Sequence, residues 1–89
     1  LHGGTLGALM ECTAVFELMW SSELSALPKI INLTVDYLRS GKPRDTFARA
    51  EVRKLGRRVA AVHVSAWQED RDDPIATANC HFLVAPRAP

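Results

Sequence analysis

Glu11 is the residue that most invites chemistry. It lies in the run Leu6 to Trp20, which is otherwise apolar apart from Thr13 and Glu17. A carboxylate in such a setting is costly to desolvate, so it reaches solvent, is paired, or is used. The plainer alternative is that Glu11 and Glu17 mark exposed spots on a helix. Gly3-Gly4 opens the same segment. Amides at a helix start lack intrahelical partners, and the helix dipole favours negative charge there. Glycines let a ligand approach that backbone closely, so the turn is suited to hold the oxyanion of a reacting ester or thioester. The alternative is that the pair only shapes the entry turn.

Spacing decides how the two features can combine. Gly3 and Glu11 are separated by about 12 Å along a helix rising about 1.5 Å per residue. A general base or nucleophile works within about 3 Å of the reacting atoms. One helix therefore cannot bring both groups to one carbonyl. If both act together, the carboxylate comes from a second copy of the chain, and the site belongs to a dimer.

Other candidates are weaker. Arg39, Lys42 and Arg44 form one basic cluster, and Lys54, Arg57 and Arg58 form another. Such clusters can hold phosphates or simply be solvated turn charges. His2, His63 and His81 share no metal-ligand spacing with Cys12 or Cys80, so no metal site is expected. No Ser-centred elbow or Cys-His signature is present. Trp20 and Trp67 read as core or interface residues.

The positioning elements follow from periodicity. Gly3 to about Ser22 contains no Pro and is apolar on most sides, which predicts a helix wrapped by other elements. Lys29 to Leu38 alternates, with Ile31, Leu33, Val35 and Tyr37 opposite Asn32, Thr34 and Asp36. Ser40-Gly41-Lys42-Pro43 reads as a turn. Thr46 to Leu55, Val59 to Gln68 and Ile75 to Val84 complete four strands. Short connections predict antiparallel neighbours. The outcome is an α+β fold, an antiparallel sheet wrapped around one long central helix, as a single domain over residues 1–89.

Composition narrows the class. With 89 residues, 47% hydrophobic and 24% charged, the chain suits one globular domain. A formal net charge of +1 gives no general case for nucleic acid or an anionic membrane. The run from Leu6 to Trp20 is too short and too charged to span a bilayer. No signal peptide is evident, and Cys12 and Cys80 read as reduced core residues of a cytoplasmic protein. Residues preceding Leu1 are expected.

These residues resemble a known family. Leu1-His2-Gly3-Gly4, with Glu11 nine positions after His2, resembles the helix of PaaI-like hotdog-fold acyl-CoA thioesterases. The presence of Glu rather than Asp resembles the related 4-hydroxybenzoyl-CoA thioesterase branch. Val35-Asp36-Tyr37-Leu38-Arg39, Leu55-Gly56-Arg57-Arg58-Val59 and Ile75-Ala76-Thr77-Ala78 resemble the family's later strands, in order. The resemblance implies hydrolysis of an acyl- or aryl-CoA thioester, with CoA part of the substrate and no separate cofactor. It implies that Gly3 donates its N–H to the thioester oxygen and that Glu11 activates water or attacks the carbonyl. His2 and Gly4 would line the same site, and Arg39, Lys42, Arg57 and Arg58 would lie near the CoA phosphates. Dimers would join through about Ile30 to Leu38, and pairs of dimers form tetramers.

The chain also departs from the pattern. Val15 stands where some members have Thr, and Ile30 where others have Ser or Thr. Thr13 or Asn32 is the expected substitute for positioning water. Ser40 replaces the Pro of the YLRP-type ending, and the strand that precedes the helix in the family is absent. Two other readings stay open: a non-catalytic hotdog module that binds acyl-CoA or serves as a structural partner, and a dehydratase-type enzyme pairing His2 with the Glu11 of another chain.

Overall fold

The computed structural model describes residues 3–21, 27–39 and 45–85. His2, Lys42, Arg44 and the expected turn at 40–43 lie outside the described residues. The elements are α1 (Gly3–Ser21), β1 (Lys29–Tyr37), β2 (Phe47–Leu55), β3 (Val59–Trp67) and β4 (Ala76–Leu83). The helix and four strands match the expected elements to within a residue or two at each end.

The strands form one antiparallel sheet in the order β1-β4-β3-β2. The β2–β3 and β3–β4 connections join neighbours, as short turns dictate. The β1–β2 connection does not: β1 and β2 are the two edges of the sheet, and β4 takes the place beside β1 that chain order assigns to β2.

Alternation divides each strand between two faces. Ala60, Val62, Val64 and Ala66 of β3 and Ala76, Ala78, Cys80 and Phe82 of β4 form the buried inner face. α1 rests on that face, mainly over β2 and β3. Its contribution is Leu6, Met10, Ala14 and Leu18, four residues apart and all buried. That spacing keeps them on one side of the helix. The other side is not wrapped: Phe16 is 74% and Trp20 83% exposed, so the helix is covered along one stripe rather than all round. Cys80 belongs to the core, whereas Cys12 is exposed, and both are free thiols.

Two bulges break the alternation. One lies between Ile30 and Asn32 in β1, the other between Val52 and Lys54 in β2. A bulge sets two residues against one on the partner strand, so the side chains beyond it keep the correct face only by skipping a position. In β1, Ile30 pairs with Phe82 and Leu33 with Cys80. Ile30, rather than the expected Ile31, therefore shares the inner face with Leu33 and Val35. The hairpin between β2 and β3 closes through the Gly56 N–H donating to Val59 O at 2.9 Å. A Cβ on Gly56 would lie 3.1 Å from that same oxygen, which is why the turn favours glycine there.

Candidate active site

Gly3 and Gly4 are the first two residues of α1. Their amides are among those left without intrahelical partners at a helix start. Glu11 lies two turns further along the same continuous helix. Because the helix is unbroken, the separation of about 12 Å holds. Within one chain the two groups do not meet.

Glu11 is half-buried. Among the described residues it makes no hydrogen bond or ion pair. Its charge is felt at Cys80, on the inner face of β4. Burial pushes the Cys80 thiol above its ordinary value of 9.0, and the Glu11 carboxylate pushes it further. Glu11 thus overlooks the middle of β4 from the flank of the helix. Glu17 falls on the other flank, with Thr13, where both border a hollow over Ala48, Arg49 and Ala50 of β2.

The remaining candidates scatter. Thr13 is two positions from Glu11, a spacing that points side chains to different sides of a helix. Its hydroxyl donates to Leu9 O at 2.7 Å. Asn32 faces away from the helix. The ladder running from Tyr37 back to Asn32 sets it opposite His81 on the outer face of the sheet, where its Oδ1 accepts from the His81 Nδ1–H at 2.8 Å. Within one chain, then, neither Thr13 nor Asn32 is brought to Glu11, and Val15 and Ile30 are apolar. Alternation in β1 already sets Asn32 opposite Leu33 and Val35; the bulge, which leaves no signature in that alternation, changes which of Ile30 and Ile31 turns inward.

The basic candidates fall at opposite ends of the sheet. Arg39 follows β1, where its guanidinium makes a fork to Asp73, Nη1 to Oδ2 at 2.7 Å and Nη2 to Oδ1 at 2.6 Å. The Leu38 and Arg39 amides donate to Ile75 O at 2.8 and 3.3 Å. Arg57 and Arg58 sit in the β2–β3 turn at the other end, tied to the exit of β4 by the Val84 N–H donating to Arg58 O at 2.8 Å. Lys54 and His81 join them in lining one cleft. The sequence groups Lys54 with Arg57 and Arg58 as a basic cluster, whereas His81 joins them only through the fold.

The sequence profile of the thioesterase superfamily matches residues 1–75. The chain belongs to the thioesterase superfamily. Its sheet and single long helix are the hotdog arrangement of that family. A Chromobacterium violaceum protein of known structure is 48% identical, with a TM-score of 0.84, over 96% of this chain and 62% of its own. A phenylacetic acid degradation-related protein from Ralstonia eutropha JMP134 is 26% identical, with a TM-score of 0.85, over 94% of this chain and 62% of its own. A Bacillus halodurans protein solved with CoA shares the fold at 16% identity and a TM-score of 0.85, over 99% of this chain and 58% of its own. The chain thus spans less than two thirds of the length of these solved structures. A comparison with curated proteins returned no match. Among the described residues, no helix is long and apolar enough to cross a membrane.

Proposed function

We propose that the intact protein is an acyl-CoA thioesterase, cleaving an acyl- or aryl-CoA to the free acid and CoA. The observation that carries this reading is Glu11: a half-buried carboxylate without a partner among the described residues, on the helix of a thioesterase-superfamily fold. Solved relatives of the same fold hold CoA or acetyl CoA, which supports CoA as the carrier.

The site is assembled from two copies. Among the described residues, β1 is an edge strand with one unpaired side, and Ile30, Ile31, Tyr37 and Leu38 are exposed along it. Pairing of β1 with the β1 of a second copy would satisfy that edge. It would also bring Glu11 of one chain toward the helix start of the other. The Gly3 N–H then receives the thioester oxygen as negative charge develops on it. In the general-base route, Glu11 takes a proton from water while the water oxygen bonds to the carbonyl carbon. The C–S bond then breaks, the thiolate leaves, and CoA takes up a proton. In the nucleophilic route, Glu11 itself bonds to the carbon, and water hydrolyses the resulting anhydride.

The test is a panel of acyl- and aryl-CoA substrates with free-thiol detection, on parent and Glu11→Gln. Release of CoA by the parent and its near-complete loss in the variant is the expected result. Equal rates would remove Glu11 from the mechanism.

One observation favours a second reading. Neither Thr13 nor Asn32 lies with Glu11 in one chain, so no polar side chain identified there positions water. A hotdog module that binds acyl-CoA without turnover fits this, and CoA binding without thiol release by the parent would establish it.

A further inference from the structure

We infer that the outer face of the sheet is the contact surface for a second copy of this chain. The two copies stack so that the β2–β3 turn of each lies over the β3–β4 turn of the other. The inference does not rest on the thioesterase reading.

The first observation is where charge is missing. β3 and β4 contain no Asp, Glu, Lys or Arg. Their outward residues are short or neutral: Ala61, His63 and Ser65 on one strand, Thr77, Asn79 and His81 on the other. Charged outward residues stand on the flanking strands, with Arg49, Glu51 and Lys54 on β2 and Asp36 on β1. Contact with water alone does not require an uncharged centre. Depletion of charge at the centre, inside a charged rim, is the anatomy of a protein interface.

The centre is also ordered in advance. Asn79 Oδ1 accepts from the His63 Nδ1–H at 3.1 Å, and Asn32 Oδ1 from the His81 Nδ1–H at 2.8 Å. Side chains already held lose less freedom on association. The small residues between them let two sheets approach to about 10 Å.

The second observation is the sign of the two ends. The β2–β3 end carries Lys54, Arg57 and Arg58. The β3–β4 turn, at the opposite end of the same strands, carries Glu69, Asp70, Asp72 and Asp73 against Arg71. Two copies can meet face to face about an axis along the strands or about one across them. The first sets basic end on basic end and acidic on acidic. The second sets each basic end on an acidic one, so charge selects it. The same operation brings the corner of Val59 and Leu83 toward the far corner, where Phe47 and Trp67 stack at 6.2 Å.

The face is large enough for this role. Four strands spaced about 4.8 Å apart, each of about eight residues rising about 3.4 Å, cover roughly 500 Å² per chain. Two copies then bury about 1,000 Å², which reaches the range of specific contacts. The stacking also closes with the proposed β1 pairing, because the two-fold axes are mutually perpendicular.

The test is the mass of the intact protein by light scattering. Arg57→Glu/Arg58→Glu leaves both ends of a chain acidic, and Glu69→Lys/Asp72→Lys leaves both basic. Each variant alone is expected to fall to half the parental mass, with association weakened about a hundredfold. An equimolar mixture of the two is expected to regain the parental mass, since every end then meets the opposite sign. Ser65→Glu, which places a charge in the neutral centre, is expected to halve the mass as well. Circular dichroism checks that each variant keeps its fold. Pairing through β1 alone predicts no change of mass in any of these variants, and that result overturns the inference. So does a monomeric parent. Two variants that dissociate alone but do not reassemble when mixed overturn the crosswise stacking. Dissociation by Phe16→Ser/Trp20→Ser, with none by the sheet variants, moves the contact to the helix and likewise overturns it.

Discussion

The His81 Nδ1–H donates to Asn32 Oδ1 at 2.8 Å across β4 and β1, at the point where the regular ladder of β1 with β4 gives way to a bulge at Ile31. Ile30 and Asn32 already pair with consecutive residues of β4, Phe82 and His81.

Deleting Ile31 therefore converts the bulge into a regular ladder without moving any other pair. The melting temperature is expected to change by less than about 4 °C, within roughly 1 kcal/mol for a domain of this size. Deleting Thr34 instead shifts every residue before it by one and turns Leu33 to the outer face. That variant is expected to melt at least about 10 °C lower. Similar melting temperatures for the two deletions would contradict the register.

A site shared between copies has a distinctive signature. Glu11→Gln and Gly3→Pro are each expected to be inactive, the second because proline has no N–H, although its φ suits the first turn of a helix. Unfolded and refolded together, half of the dimers are mixed, and each mixed dimer has one intact site. About one quarter of the parental activity is expected back. No recovery in the mixture would place both groups in one chain.

Neighbouring residues on β4 should differ sharply in their effect on stability. Phe82 is fully buried on the inner face, while Leu83 is half exposed on the outer. Phe82→Ala is expected to cost about 3–5 kcal/mol in denaturant unfolding. Leu83→Ala is expected to cost under about 1 kcal/mol, as it opens no core cavity.

The fork between Arg39 and Asp73 has short contacts, yet both side chains are half exposed. Such pairs contribute under about 1 kcal/mol and weaken with salt. A double-mutant cycle on Arg39→Ala and Asp73→Ala is expected to give a coupling in that range, smaller at 1 M salt.

Cys80 introduces an alkaline limb in stability. Its folded value is raised by burial and by Glu11. The folded state therefore favours the neutral thiol. The resulting stability is fully present below the unfolded value, near 9, and is lost as pH rises toward the folded value. Cys80→Val is expected to flatten the fall in stability above pH 9. Alkylation at pH 8 should modify Cys12 quickly and Cys80 only on unfolding.

Much of this protein is local and therefore legible in its sequence. Alternation with period two marks four strands within a residue or two, because each strand carries its own two faces. The apolar run from Leu6 to Trp20, free of proline and broken by the carboxylates of Glu11 and Glu17, marks both the helix and the candidate Glu11. The rise of a helix alone separates Gly3 from Glu11. What the sequence could not determine depends on partners distant in the chain. Ile31 and Arg53 look like ordinary strand residues until their partners on β4 and β3 are known, so the inward turn of Ile30 and the outward placement of Lys54 exist only in the sheet. The order β1-β4-β3-β2 is also set by which faces bury together, not by loop length. Arg39 and Arg57 resemble one another as turn cations, yet the fold pairs the first with Asp73, while the second has no ion pair among the described residues and lies beside Lys54 and His81. Those choices are made by packing and pairing over long sequence separations, which no local pattern records.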